Sequence, residues 1–244
     1  MVKEHLVYGS KTELIRAVAK RFLTLVEQEL TKRPEVHIVL TGGSVGIGVL
    51  AQAAQLLDDT EIDWYRVHFW WGDERWLPLG DAERNDAQAQ EAFLDGLGLP
   101  PENLHPFASS DAGYSLVEAE AAMNQELANF AAAGQSHPEF SLCFLGVGPD
   151  AHIASLFPGL PQIHHDTLGT VAVIDSPKPP SERLSFTLPL INSAERIWLV
   201  MAGADKAEAL QAAVGPVEAA QYPVSAVAGV METLLFSDRD AAGA

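Results

Sequence analysis

One cysteine, few basic side chains and no long apolar run set the first limits on this chain. Cys143 stands alone, which excludes an intramolecular disulfide framework. It lies in the apolar run 140–145, so it reads as a buried structural thiol and not as a nucleophile. Lys and Arg together number 15 against 33 Asp and Glu, a formal net charge of −18. Nucleic acid and anionic membranes select basic surfaces, so neither is expected as a partner. No apolar run approaches membrane-spanning length, and Met1-Val-Lys-Glu-His-Leu6 has no signal-peptide hydrophobic region. The expectation is a cytoplasmic protein. No internal repeat, low-complexity segment or dividing linker stands out. What is present is a 244-residue chain, 48% hydrophobic, which can bury a core as one large domain over 1–244.

Helix and strand patterns alternate along it. Ser10 and Glu13 have the spacing of a capping box, and Leu14, Val18, Phe22, Val26 and Leu30 follow as one helical stripe ending before Pro34. Residues 36–40 and 67–71 are strand-like, and Leu116, Ala119, Met123, Leu127 and Phe130 mark an amphipathic helix. Residues 140–145, 169–174, 184–188 and 197–201 read as further strands. Residues 205–213 read as a helix, 234–236 as a short last strand and 238–244 as a mobile tail. Such alternation predicts an α/β fold: a single domain with a mostly parallel, doubly wound sheet and helices on both faces.

Five segments at predicted strand ends carry chemistry. Gly146-Val-Gly-Pro-Asp150-Ala-His152 leaves a buried strand on glycines, where open α/β folds keep their ligand crevice. A carboxylate and an imidazole two residues apart suit acid–base work there; the plainer alternative is a turn with a solvated Asp. Thr41, Gly42, Gly43 and Ser44 join a strand to a helix, where free N–H groups and the dipole favour an anion. No Gly-Lys-Ser/Thr follows, so this is not a P-loop, and a tight turn is its plainer reading. Asp73, Glu74 and Arg75 follow another strand, either as a solvated charge run or to orient hydroxyls and hold an anion. Lys178 and Arg183 belong to a proline-stiffened loop, and Lys206 starts a helix. In so acidic a protein an anionic substrate needs a local basic pocket. Gly46-Ile-Gly48-Val-Leu-Ala51 imitates a dinucleotide fingerprint, but its glycines fall inside a helix. His164, His165 and Asp166 read as surface loop, His68 as packed, and Trp70, Trp71 and Trp76 as core or crevice wall. Asp81 to Asp86 reads as a solvated loop, Asn85 excepted.

In this order the segments resemble the 6-phosphogluconolactonase family. The resemblance rests on Gly-Gly-Ser, Gly-Asp-Glu-Arg-Trp-Leu-Pro with Arg84-Asn85 after it, and Leu-Gly-Val-Gly-Pro-Asp-Ala-His-Ile-Ala-Ser-Leu-Phe-Pro-Gly. It continues through Ser-Pro-Lys-Pro-Pro, Arg183 to Thr187-Leu-Pro, and Gly-Ala-Asp-Lys-Ala. It implies a sugar-phosphate isomerase-like fold and hydrolysis of 6-phosphoglucono-1,5-lactone to 6-phosphogluconate, with no metal or organic cofactor. The partner implied is a small phosphosugar lactone; the oligomeric state is left open, and a monomer suffices. By the same resemblance His152 is the general base. Asp150 either orients it or binds a sugar hydroxyl. The 41–44 loop takes the phosphate, with Lys206 and Arg183 as charge partners. Arg75 serves the phosphate or the oxyanion, and Asn85 binds substrate or ties down the Asp73 segment. Two departures stand out: Ala151 where the family usually has Gly, which matters if φ is positive there, and Ser44-Val-Gly where Ser-Thr-Pro is commoner. Rival readings are a glucosamine-6-phosphate deaminase, a sugar-phosphate sensor without catalysis, and a nicotinamide-dependent dehydrogenase. The deaminase motif puts a catalytic Glu where this chain has Phe157.

Overall fold

Strand-forming runs without polar alternation belong in a sheet covered on both faces. The computed structural model, which describes residues 2–215 and 218–243, places them in one. In chain order its elements are β1 (Val2–Tyr8), α1 (Lys11–Leu30), β2 (Val36–Leu40), α2 (Gly43–Ala54), β3 (Val67–Trp71), β4 (Asp73–Arg75), α3 (Asn85–Ala92), β5 (Leu104–His105) and α4 (Leu116–Asn129). There follow β6 (Phe140–Gly146), β7 (Thr170–Val173), β8 (Arg183–Phe186), α5 (Leu188–Asn192), β9 (Arg196–Met201), α6 (Ala207–Val214), β10 (Glu232–Asp238) and α7 (Arg239–Ala242). Seven strands pair in parallel in the order β1-β10-β9-β6-β2-β3-β5. Every residue of β2 and β3 is buried.

The two faces of the sheet are filled differently. Phe69, Phe144 and Trp198 make up an aromatic layer with Phe22 of α1, Trp64 and Phe93. On the other face His37 stacks on His68, His68 on His105 and Trp70 on His105, Phe130 at the end of α4 meets these rings edge-on or tilted, and Phe140 meets Phe186 of β8. Trp70 and Trp71 are thus core, and His68 is packed, as read from the sequence. The glycines of the fingerprint-like stretch lie within α2, where a Cβ on Gly48 would come 2.7 Å from Ile15 of α1. Gly48 thus serves close helix packing, while Gly46 makes room for Thr41.

Several expectations need correction. Ser10 caps α1 by accepting the Glu13 N–H, but Glu13 reaches back to the N–H of Gly9 and not of Ser10, so the box is half closed. The strands expected at 169–174 and 184–188 do form, but as β7 and β8 of a separate antiparallel three-stranded sheet in the order β4-β8-β7. Leu188 already belongs to α5, because Thr187 accepts the Leu190 N–H and starts a helix. The last strand is longer than read and lies inside the sheet, between β9 and the unanticipated strand β1. In place of a mobile tail, Asp238 ends β10 and caps α7, whose Ala241 is buried; Ala244 lies outside the described residues.

β2 has its sequence neighbour β3 on one side and β6 on the other. The connections leaving β2 and β6 therefore diverge between those two strands, which is the switch point where α/β sheets bind ligands. The chain segments after these strands are 41–44 and 147–152.

Candidate active site

Both segments, and the one after β3, open onto a cavity of about 200 Å³ at the carboxyl edge of the sheet. Thr41, Gly42, Gly43, Asp73, Arg75, Asn85, His152, Arg183 and Lys206, all singled out in the sequence, line it. Ser44 lies beside it in a side pocket of about 110 Å³ at the α2 N-terminus, which Lys206 also lines. Lys178 lines the main cavity too, though the sequence marked it only as part of a basic loop. With Arg75, Arg183 and Lys206 it brings four of the chain's 15 basic side chains to one hollow. That is the local basic pocket an acidic protein needs for an anion.

The imidazole of His152 is held at its Nδ1 edge and against Phe157. Its Nδ1 lies 2.5 Å from Asp150 Oδ1, and Lys178 Nζ lies 3.1 Å from the same oxygen and 3.2 Å from Nδ1. Phe157 backs the ring at 4.5 Å between centroids. Gly148 flanks it: a Cβ there would come 2.0 Å from Nδ1. Burial disfavours the charged form of Asp150. The hydrogen bond and charge of His152, with the Lys178 ammonium, outweigh that effect and hold the carboxyl well below the usual carboxylate range. In the neutral ring the anionic acceptor on Nδ1 fixes the tautomer that carries its proton there, leaving the Nε2 lone pair free.

The loop bearing this pair is tightly knit. The Ala151 N–H donates to Gly148 O, the Gly148 N–H to His152 O, and the Val224 N–H to Ala151 O. Ala151 has φ 64° and Ala154 φ 47°. Positive φ thus applies at the position where the family has glycine, and alanine costs roughly 1–2 kcal/mol there.

The charged run after β3 is not solvated. Glu74 is buried, and its carboxylate accepts the N–H groups of Arg75, Asn85 and Asp86, closing the N-terminus of α3. Burial and then the charge of Asp86 push its pKa upward against the pull of Arg84 and these amides. Arg84 is fully buried and grips Asp86 through both carboxylate oxygens at 2.9 and 2.8 Å. The expected solvated loop at 81–86 is therefore an anchor at its second half. It fixes Asn85, whose Nδ2 donates to Asp73 O at 2.8 Å and lies 3.3 Å from Asp73 Oδ1. Asn85 Oδ1 fills the place of a side chain at residue 42, 1.9 Å from where a Cβ would be.

Arg183 lines the cavity and spends part of its guanidinium on the backbone. Its Nε donates to Pro180 O, and its Nη2 donates to the carbonyls of Lys178 and Pro179, so it clamps the loop that presents Lys178. Lys206, paired only with the exposed Asp205 among the described contacts, faces the α2 N-terminus across the side pocket. There the first-turn N–H groups of α2 lack intrahelical acceptors. Lys11 reaches the same place, donating to Ser44 Oγ at 3.0 Å; nothing in its spacing marked it in the sequence. Thr41 Oγ1 accepts the Gly146 N–H at 3.1 Å, joining the two sides of the switch point. His164, His165 and Asp166 are exposed, and no cluster of three His, Cys, Asp or Glu able to hold a metal occurs among the described residues. No helix among them is long and apolar enough to cross a membrane.

Comparison with known proteins gives a consistent result. Residues 9–236 match the family model described as glucosamine-6-phosphate isomerases/6-phosphogluconolactonase. A Streptomyces coelicolor protein named 6-phosphogluconolactonase is 43% identical over 241 residues, covering 97% of this chain and 92% of its own. The Thermotoga maritima 6-phosphogluconolactonase structure superposes with a TM-score of 0.82 at 24% identity, covering 97% of this chain and 99% of its own. A monomeric glucosamine-6-phosphate deaminase superposes with a TM-score of 0.80 at 19% identity, covering 98% and 99%. At these identities the two structures speak to the fold alone.

Proposed function

The chain belongs to the glucosamine-6-phosphate isomerase/6-phosphogluconolactonase family, and within it we propose that the protein hydrolyses 6-phospho-D-glucono-1,5-lactone to 6-phospho-D-gluconate. The observation that carries this reading is the Asp150–His152 pair facing, across one cavity, the N-terminus of α2 with Lys206 beside it. One end suits proton transfer and the other a phosphate. The full-length likeness to a named lactonase supports the same choice. The deaminase reading requires a proton-transferring Glu at 157, and the chain has a buried phenyl ring there, packed on His152. A dinucleotide loses its only sequence support once Gly46 and Gly48 lie inside α2.

A lactone is a cyclic ester, so its opening needs an activated water, a stabilised oxyanion and a proton for the departing ring oxygen. His152 Nε2 takes a proton from water as the oxygen attacks the carbonyl carbon. Asp150, ionised and bonded to Nδ1, holds the ring in register and balances the imidazolium that forms. Such a base contributes about 10²–10⁴-fold. The negative charge that develops on the carbonyl oxygen is stabilised by the cations of the wall, Arg75 and Lys178. Collapse breaks the bond to the ring oxygen, which receives the proton from His152; the carboxylic acid produced ionises in water. The 6-phosphate lies on the first-turn N–H groups of α2 and on Lys206, anchoring the reacting carbon near His152. Arg183 contributes by holding the Lys178 loop.

The test is hydrolysis of freshly generated phosphorylated lactone, with spontaneous opening subtracted and unphosphorylated gluconolactone as control. Rapid turnover of the phosphorylated compound, lost in His152→Ala, supports the reading. Binding of 6-phosphogluconate without turnover would instead mark a sensor.

A further inference from the structure

We infer that Ser155 is a positioning residue for this site: its two buried hydrogen bonds lock a left-handed turn that fixes His152. The inference rests on the lactonase reading for its kinetic test, but not for its spectroscopic one.

Ser155 is completely buried, three residues beyond His152. Its Oγ donates to Asp73 Oδ2 at 2.7 Å, and its N–H donates to Ser185 Oγ at 3.2 Å. The Ser185 hydroxyl itself donates to Phe186 O. Ser155 is thereby fastened to β4 and to β8. The turn it belongs to is closed by the Leu156 N–H on Ile153 O, and Ile153 pairs in turn with Val147. His152 lies between Ala151 and Ile153, so the turn sets one end of its backbone.

The turn also contains Ala154, at φ 47°. An alanine reaches that region only where its surroundings compel it, at about 1–3 kcal/mol. Ala154 is buried at the cavity wall and has no side-chain hydrogen bond with which to enforce its own conformation. The enforcing bonds are those of the next residue. Without them the peptide can relax toward negative φ, which swings the Ile153 backbone and with it the imidazole. A ring wedged between Gly148 and Phe157, and bonded to Asp150 at 2.5 Å, tolerates little of this. The hydrogen bonds of Ser155 run to Asp73 and Ser185 and not to α2 or Lys206, so the effect belongs chiefly to the reacting end of the cavity.

The experiment uses the full chain with Ser155→Ala, Ala154→Gly and the double variant. Ser155→Ala should lower kcat for the phosphorylated lactone 10- to 100-fold with KM within about threefold. Ala154→Gly alone is the reference for the double variant. In the double variant, glycine adopts the turn without strain, and kcat should recover at least fivefold over Ser155→Ala. Because relief of the strain at residue 154 also adds stability, kcat is referred to the folded fraction measured by circular dichroism, so that refolding alone cannot give the rescue. Should Ser155→Ala not fold, Ser185→Ala removes the other anchor and should show the same split between kcat and KM. Independently of any substrate, the Asp150–His152 bond should give a low-field Nδ1 proton resonance that Ser155→Ala broadens or shifts and the double variant restores. An unchanged resonance together with unchanged kcat, or a change confined to KM, overturns the assignment. If the wild type does not open the lactone at all, the lactonase reading fails while the resonance still decides the role of Ser155.

Discussion

The imidazole of His152 occupies the space that a side chain on residue 148 would need, so Gly148 and His152 are one structural unit. Gly148→Ala should therefore act as a mutation of the base. Its kcat should fall toward that of His152→Ala, about 10²–10⁴-fold below wild type, with an unchanged circular dichroism spectrum. Near-normal kcat in folded Gly148→Ala would show that the ring has another productive seat.

Gly42 and Asn85 stand in the same relation. A Cβ at residue 42 would meet Asn85 Oδ1 at 1.9 Å. Gly42→Ala is expected to displace the loop and raise KM for the phosphorylated lactone roughly tenfold, about 1.4 kcal/mol. Removing the obstructing amide with Asn85→Gly should recover part of that loss. Strict additivity of the two changes would argue against direct contact between them.

Lys206 and Arg183 should separate kinetically. Lys206→Ala is expected to raise KM for the phosphorylated lactone about tenfold and to leave turnover of unphosphorylated gluconolactone unchanged. Arg183→Lys loses the planar fork that holds three carbonyls and should lower kcat with both substrates. An effect of Arg183→Lys limited to the phosphorylated lactone would return that residue to phosphate binding.

The buried histidines predict acid sensitivity. Burial, and then the neighbouring histidines and Arg33, pull His37 down to about 3; burial pulls His105 down to about 4 against the pull of Glu126. The Trp70 indole N–H donates to His37 Nδ1, which requires that nitrogen unprotonated. Both rings are neutral in the fold, whereas an exposed histidine titrates near 6.5. Below that pH the unfolded chain binds the extra protons, so stability falls as pH drops from about 6.5 toward about 4. Each neutral histidine contributes a slope of up to about 1.4 kcal/mol per pH unit. Thermal melts between pH 7 and 4.5 should show a falling Tm, with a shallower fall in His37→Asn. A flat profile would mean that these rings are protonated in the native state.

Much of this was legible in the sequence because chemistry and pattern coincided there. The helix stripe from Leu14 to Val26, the buried strands β2, β3, β6 and β9 and the loops after them follow from hydrophobic period and glycine placement. The nine site residues that line the main cavity were read from five segments. What was not legible depends on partners distant in the chain. β1 has no apolar alternation to announce it and exists by pairing with β10. The run from Asp73 to Arg75 looks solvated until Glu74 is seen capping α3. Arg183 reads as a free cation, and only the folded loop shows its Nε and Nη2 donating to backbone carbonyls. Lys178 falls in the site because that loop folds back over Asp150.

The bonds Thr41–Gly146 and Asp73–Ser155 join residues 105 and 82 positions apart. β2 and β6, the strands that flank the cavity, are neighbours in the sheet but separated in the chain by three strands and three helices. Loops of that length close late, after local helices have formed. No stretch shorter than roughly 36–206 contains the cavity, so activity is a report on completed chain topology, and it should be the last signal to return when the unfolded protein is refolded.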